Sequence, residues 1–299
     1  MPELLTTEEA AAHLRMSERK LYELVAAGAV PCSKATGRWL FPKQALDRWV
    51  MAGLIAGAPF AQATPPPIVG GSHDPLLEWA LRESGSGLAY LPEGSEAGMR
   101  RLVRGEVMAA AIHLHRIEGQ EPTNDERANI DAAAATPGLH DAVVIAFARR
   151  EQGLLVAPGN PKKLTDIGSV AAAKARIALR TDGAGAQLLL LSLLDRAGLK
   201  RDRLNALSAP CVTGADVAEA VRSGRADCGI ATRAVARAAG VDFLPLAWEH
   251  FDLVMHQRDH FLPPLQTLFA FLRQPAFAGR AQEMSGYDTV EANRVRFAG

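Results

Sequence analysis

The first fifty residues leave little freedom for one end of this chain. Thr6-Thr7-Glu8-Glu9 predicts a helix start, with Thr6 as the cap and Glu9, three residues on, answering it. Ala10, Ala11 and Leu14 supply an apolar face, and Arg15-Met16-Ser17 makes a turn whose Ser17 caps a second helix. Leu21, Leu24 and Val25 recur at helical spacing and should pack inward. That leaves Glu18, Arg19, Lys20 and Glu23 outward, with Tyr22 near the edge. Gly28 stops the helix, because glycine takes a left-handed cap cheaply. Pro31 through Leu40 read as a short hairpin in which Lys34 and Arg38 flank Ala35-Thr36-Gly37. Trp39 and Phe41 anchor the returning strand, and Pro42 opens a third helix with Ala45, Leu46 and Trp49 on its inner stripe.

Helix, tight turn, helix, hairpin, helix is the order of a winged helix-turn-helix, a mainly α unit. In that layout the second helix enters the major groove of DNA. Ser17, Arg19, Lys20 and Tyr22 on the helix are then candidate DNA contacts, with Lys34 and Arg38 on the wing. Charge alone argues weakly: residues 1–50 hold seven Lys and Arg against six Asp and Glu, so a solvated helix face is the competing account. The segments LTTEEAAAHLRMSERKLYELVAAGAVP and GRWLFPKQALDRW resemble the excisionase-like, MerR-related helix-turn-helix family. The resemblance implies operator DNA as a partner. MerR-type regulators often continue into a long dimerising coiled coil, and this sequence does not.

A length of 299 residues accommodates about two domains. Lys and Arg number 33, as do Asp and Glu, so DNA contact must be local rather than a general coating. The three cysteines are scattered without metal-ligand spacing, which fits a reduced, cytoplasmic protein. The N-terminus lacks the pattern of a secretory signal, and no run of about 18 apolar residues occurs, so no membrane span is expected. The expected domains are 1–50, a linker at 51–67 and a sensing domain at 68–299. The linker MAGLIAGAPFAQATPPP ends in a stiff triple proline, and Leu54 and Ile55 are candidates for a dimer contact.

From Ile68 short apolar strands alternate with amphipathic helices, which predicts an α/β domain with a mainly parallel, doubly wound sheet. Separate strands are expected at 142–148 and 152–157, around a crossover. Three strand-to-helix junctions combine glycine with hydroxyls: Gly70-Gly71-Ser72-His73-Asp74, Glu93-Gly94-Ser95-Glu96-Ala97-Gly98 and Thr181-Asp182-Gly183-Ala184-Gly185-Ala186. Each is by itself an ordinary turn. Together, with free N–H groups at helix starts, they suit one small anion. No GxxxxGK[ST] loop is present, and Gly183-Ala184-Gly185 falls short of the dinucleotide fingerprint.

The segments GSHDPLLEWAL, LPEGSEAGMRRLVRGEVMAAAIHLH, GLLVAPGNPKKLTDIGSV, RTDGAGAQLLLLSLL and VAEAVRSGRADCGIATRAVARAAGVDFLPLAWEHFDLVM look like the periplasmic-binding-protein-like domain of cytoplasmic regulators, which is related to molybdate-binding proteins. The resemblance implies two lobes, one of about 68–146 plus 247–299 and the other of about 150–244. They would hinge near Ala148–Glu151 and Leu244–Ala247. By position, Ser72 and Ser95 would donate from the first lobe, and Thr181, Gly185 and Ala186 from the second. Many relatives carry GSGTR where this chain has Gly183-Ala184-Gly185-Ala186-Gln187, so a hydroxyl and a positive charge are missing. Arg180 is the candidate replacement for the charge, and His73 and His113 complete the ligand-binding set.

The implied function is a homodimeric one-component transcriptional regulator that senses a small oxyanion, molybdate or tungstate first, with no cofactor, no catalytic residue and no metal site. Sensing of a small organic anion through Arg180 and His113 stays open, as does an enzyme on the same scaffold. His113 and His115 share a strand face, but no third metal ligand accompanies them, and a hydrogen-bonding His113 is the plainer account. No GxSxG elbow appears. His250, His256 and His260 read as surface or packing residues. Asp74, Asp182 and Asp227 read as caps and loop ties, though a carboxylate in the cleft would repel an oxyanion.

Overall fold

The computed structural model describes residues 4–52, 64–114 and 127–299. The chain separates into two compact units, Met1–Ala63 and Thr64–Gly299. Leu54, Ile55 and His115 lie outside the described residues.

In the first unit, β1 (Leu4–Leu5) is followed by α1 (Thr7–His13), α2 (Glu18–Ala26), β2 (Phe41–Pro42) and α3 (Lys43–Ala52). The Thr6–Glu9 capping box forms in both directions, and the Ser17 hydroxyl accepts the Lys20 N–H. The hairpin closes through reciprocal 2.8 Å bonds between Ser33 and Leu40. Its return strand pairs with the chain's own start, Leu5 opposite Phe41, a pairing the local pattern does not announce. Pro42 therefore belongs to that strand, and α3 begins one residue later. Leu5, Ala10, Ala11, Leu21, Val30, Phe41 and Leu46 form the core; Leu24, Val25, Trp39 and Trp49 pack on it partly exposed.

The second unit begins β3 (Ile68–Gly71), α4 (Pro75–Glu83), β4 (Ala89–Pro92), α5 (Ser95–Val103), β5 (Ala109–Ile112), α6 (Ala128–Ala135) and β6 (Ala142–Val156). It continues α7 (Ile167–Ala172), β7 (Arg176–Ala178), α8 (Gly185–Arg196), β8 (Asn205–Ala206), α9 (Gly214–Arg222), β9 (Cys228–Thr232), α10 (Arg233–Ala239) and β10 (Asp242–His256). α11 (Gln257–His260), α12 (Pro263–Leu272), α13 (Pro275–Met284), β11 (Tyr287–Asp288) and β12 (Val295–Ala298) complete it. The sheet order is β4-β3-β5-β10-β6-β9-β7-β8, with β11 and β12 also against β6.

This corrects two expectations. The sheet is mixed: β4-β3-β5 and β9-β7-β8 are parallel triplets, joined through the antiparallel strands β10 and β6. The two strands expected around a crossover are one strand of 15 residues, and β10 matches it in length. The charged run Arg149-Arg150-Glu151 reads as a break in a sequence of apolar strands. In the fold it is the stretch where one apolar core stops and the next has not begun.

On one side of that stretch, Val143, Ile145 and Phe147 pack under α4, α12 and α13, while Ala142 and Val144 pack under α5 and α6. On the other side, Leu154 and Val156 face α7 and α8, and Leu155 faces α9 and α10. Period-two alternation thus builds a two-faced core in each lobe, and β6 and β10 carry the chain between them. Among the described residues no helix is long and apolar enough to cross a membrane.

Candidate functional site

Where the lobes meet, a cleft with about 380 Å³ of space, its open mouth included, is lined by polar and small residues. On the first-lobe side stand Ser72, His73 and His113; β6 adds Arg150 and Gln152; the second lobe adds Arg180, Ala186 and Thr232.

The first-lobe wall is set by a close approach of backbone. A Cβ at Gly98 would lie 2.5 Å from the Gly71 Cα, so α5 settles directly on the end of β3. Ser95, the first residue of α5, is thereby brought to Ser72, with their buried hydroxyl oxygens 2.8 Å apart. Ser95 Oγ also accepts the His113 N–H at 3.1 Å and reaches the His113 carbonyl at 3.2 Å. Ser95 is therefore tied behind the wall, and Ser72 faces the cleft. Rotating the Ser72 hydroxyl turns its proton from Ser95 towards the cleft.

Arg150 is the largest fully buried side chain. Its Nε donates to Glu249 at 2.6 Å, its Nη1 donates to Asp74 at 2.8 Å, and its guanidinium stacks 4.2 Å from the Phe251 ring centre. Burial opposes the charge, but Glu249 and Asp74 hold the group above the usual arginine range. Asp74 caps α4 with Oδ1 and accepts the Tyr287 hydroxyl at Oδ2. The carboxylates beside the cleft are thus engaged by Arg150, which removes much of their repulsion towards an anion.

Arg180 is held differently. Its Nε and Nη2 donate to the carbonyls of Cys211 and Val212, at 3.2 and 2.7 Å. Among the described residues no carboxylate lies within ion-pair distance of it. Burial, and then the neighbouring Arg150 charge, push its guanidinium down to about 10. An anion in the cleft would relieve both effects. The α8 start, whose Ala184 and Ala186 line the cleft, adds N–H dipoles, since Ala184 offers no side-chain cap.

Thr181 is outside the lining, its N–H bonded to the Cys211 carbonyl and its own carbonyl to Ala184. Gly185 is packed against His113, and a Cβ there would fall 1.9 Å from Nε2. His73 stacks on Tyr90 and meets Glu78 at 3.3 Å. His113 lies 3.8 Å from Glu249 and packs on Phe251. Asp182 is exposed near Arg201, and Asp227 binds Arg176. Among the described residues no His, Cys, Asp and Glu group suits a metal ion. Sequence reasoning missed Arg150, Gln152, Glu249 and Thr232. Only the charged run in a strand hinted at the first; the partners come from β10 and β9.

In the first unit, Arg19 is almost fully exposed, and both it and Lys20 approach Glu23, at 3.5 and 3.3 Å. Tyr22 is half exposed. Lys34 lies over Trp39, 5.2 Å from the ring centre, and Arg38 is exposed.

A model described as a helix-turn-helix domain matches residues 4–53. The Bacillus subtilis (strain 168) protein YvgK is 23% identical over 305 residues, covering 97% of this chain and 96% of its own. A tungstate ABC transporter structure from Geobacter sulfurreducens superposes with a TM-score of 0.52 at 13% identity, over 72% of this chain and 97% of that one. A phosphate-bound ABC-transporter substrate-binding protein from Clostridium perfringens gives 0.52 at 11%, over 73% and 96%. These structural likenesses establish the fold. A model described as a PBP superfamily domain matches residues 78–273, so the chain belongs to the periplasmic-binding-protein superfamily, joined to an N-terminal helix-turn-helix domain in the manner of a ligand-sensing DNA-binding regulator.

Proposed function

We propose that this protein is a one-component transcriptional regulator whose cleft binds a small anion, and that binding changes its grip on operator DNA. The observation that carries the anion is Arg180: a guanidinium held by two backbone carbonyls, without a carboxylate partner among the described residues, facing the same cleft as Arg150. Ser72, Thr232 and the uncapped start of α8 add neutral donors. Ligand bridging the two walls would favour the closed arrangement of the lobes. In a homodimer, closure would alter how two helix-turn-helix domains meet paired half-sites. The similar solved structures name tungstate and phosphate, two different oxyanions, and the sequence resemblance puts molybdate and tungstate first. The reading is one of binding rather than turnover, in a cytoplasmic setting.

Calorimetric titration of the full chain with molybdate, tungstate, sulfate, phosphate and small carboxylates should find a binding anion. Arg180→Gln should weaken that binding by roughly tenfold, the cost of one charge-assisted hydrogen bond. Heat from none of these anions would sink the reading. On the DNA side, Ser17, Arg19, Lys20, Tyr22, Lys34 and Arg38 are the proposed contacts. Arg19→Ala and Lys20→Ala should each weaken operator binding and lower the salt slope by about one. Gel shifts indistinguishable from wild type would take α2 out of the groove.

A further inference from the structure

The anion cleft also contains an acceptor that a bare anion does not satisfy. Gln152 lines the cleft and is 2% exposed. Its Nε2 donates to Glu249 at 2.9 Å, while its Oε1 has no hydrogen-bond partner. Turning the amide over would set Oε1 against the Glu249 carboxylate, so the hydrogen-bonding pattern fixes which end is the acceptor. Across the β6–β9 ladder, Gln152 stands opposite Thr232. Thr232 also lines the cleft, and its Oγ1 accepts the Val235 N–H, leaving its own hydroxyl proton to donate. Gln152 and Thr232 thus offer an acceptor and a donor on adjacent strands, close to the guanidinium of Arg150. An unmet buried carbonyl is costly, and a ligand with an O–H satisfies it where a fully deprotonated tetrahedral ion does not.

We infer that the ligand is an anion that carries its own hydroxyl donor, with the charge on the arginine side of the cleft and the O–H given to Gln152 Oε1. This rests on the anion reading above and narrows it away from bare metal oxyanions. Two sources share the chemistry: a protonated oxyanion, such as inorganic phosphate at neutral pH, and a small hydroxy acid.

The test is calorimetry on the full-length protein at neutral pH with matched pairs: inorganic phosphate against sulfate, and glycolate against acetate, with molybdate as a fifth probe. In at least one pair the hydroxyl-bearing member should bind about tenfold more tightly, and more tightly than molybdate. The pair that shows the preference identifies the source. Gln152→Leu should reduce the preference to within about twofold. Preference is the readout, so a general loss of affinity in the variant does not mimic the result, and the wild-type comparison stands even if the variant fails to fold. Sulfate equal to phosphate together with acetate equal to glycolate would overturn the inference and leave the anion reading intact. So would molybdate binding more tightly than both hydroxyl-bearing probes, or a preference that survives Gln152→Leu. Silence from all five probes and from tungstate would remove the anion reading itself.

Discussion

Gly185→Ala is expected to weaken ligand binding by roughly a hundredfold, equivalent to about 3 kcal/mol. The added methyl would lie 1.9 Å from His113 Nε2 and 2.4 Å from the His113 carbonyl oxygen. The imidazole has another rotamer, but the carbonyl belongs to the backbone and is tied to Ser95. The relief left is separation of the two walls of the cleft, by an ångström or more at this point. That separation takes the α8 start and Arg180 out of reach of a ligand held by Ser72. Gly185 does not have positive φ, so the helix itself accepts alanine, and the cost falls on the contact between the two walls. Affinity lost well beyond any loss of melting temperature is the signature. Gly279→Ala, inside α13 at a position with no neighbouring atom within 4 Å, is the control: it should leave the affinity unchanged and, as a helix-interior alanine, raise the melting temperature slightly. An unchanged Kd for Gly185→Ala would mean that the liganded lobes do not meet at this contact.

Arg150→Met should cost about 3–5 kcal/mol of stability, because it leaves the buried Asp74 and Glu249 carboxylates without their shared cation. For a domain of this size that lowers the melting temperature by roughly 10 °C, readable by circular dichroism. Methionine keeps most of the volume over Phe251, so the loss reports charge rather than a cavity. Adding Glu249→Gln and Asp74→Asn to the same chain should recover much of the loss, since neutral buried amides need no counterion. A single variant that melts within 2 °C of wild type, roughly half a kcal/mol, would show that the two carboxylates do not depend on Arg150.

Local chemistry was legible from the sequence wherever the partners are three or four residues apart. The Thr6–Glu9 box, the Ser17 cap and the Asp74 cap needed only that spacing. The glycine-rich starts of α5 and α8 were legible as helix openings for the same reason; Arg180 as a replacement charge came instead from the family resemblance. What stayed hidden depends on register between distant strands. Glu249 meets Arg150 across 99 residues because β6 and β10 pair there, and Thr232 meets Gln152 because β9 pairs on the other edge. In sequence, Arg149-Arg150-Glu151 looks too polar to lie inside a strand, since a buried charge without a partner is unfavourable. The partner exists, but nothing local to the run reveals it.

The sequence by itself determined the two kinds of domain, their order and the glycine-rich helix starts, because caps, turns and apolar periodicity act over a few residues. Only the tertiary structure decided that two long antiparallel strands join the lobes, that Arg150 neutralises the carboxylates beside the cleft, and that Gln152 turns an unmet carbonyl oxygen on its wall. Those outcomes follow from strand register and burial, where a one-residue shift would turn each of these side chains to the opposite face of the sheet.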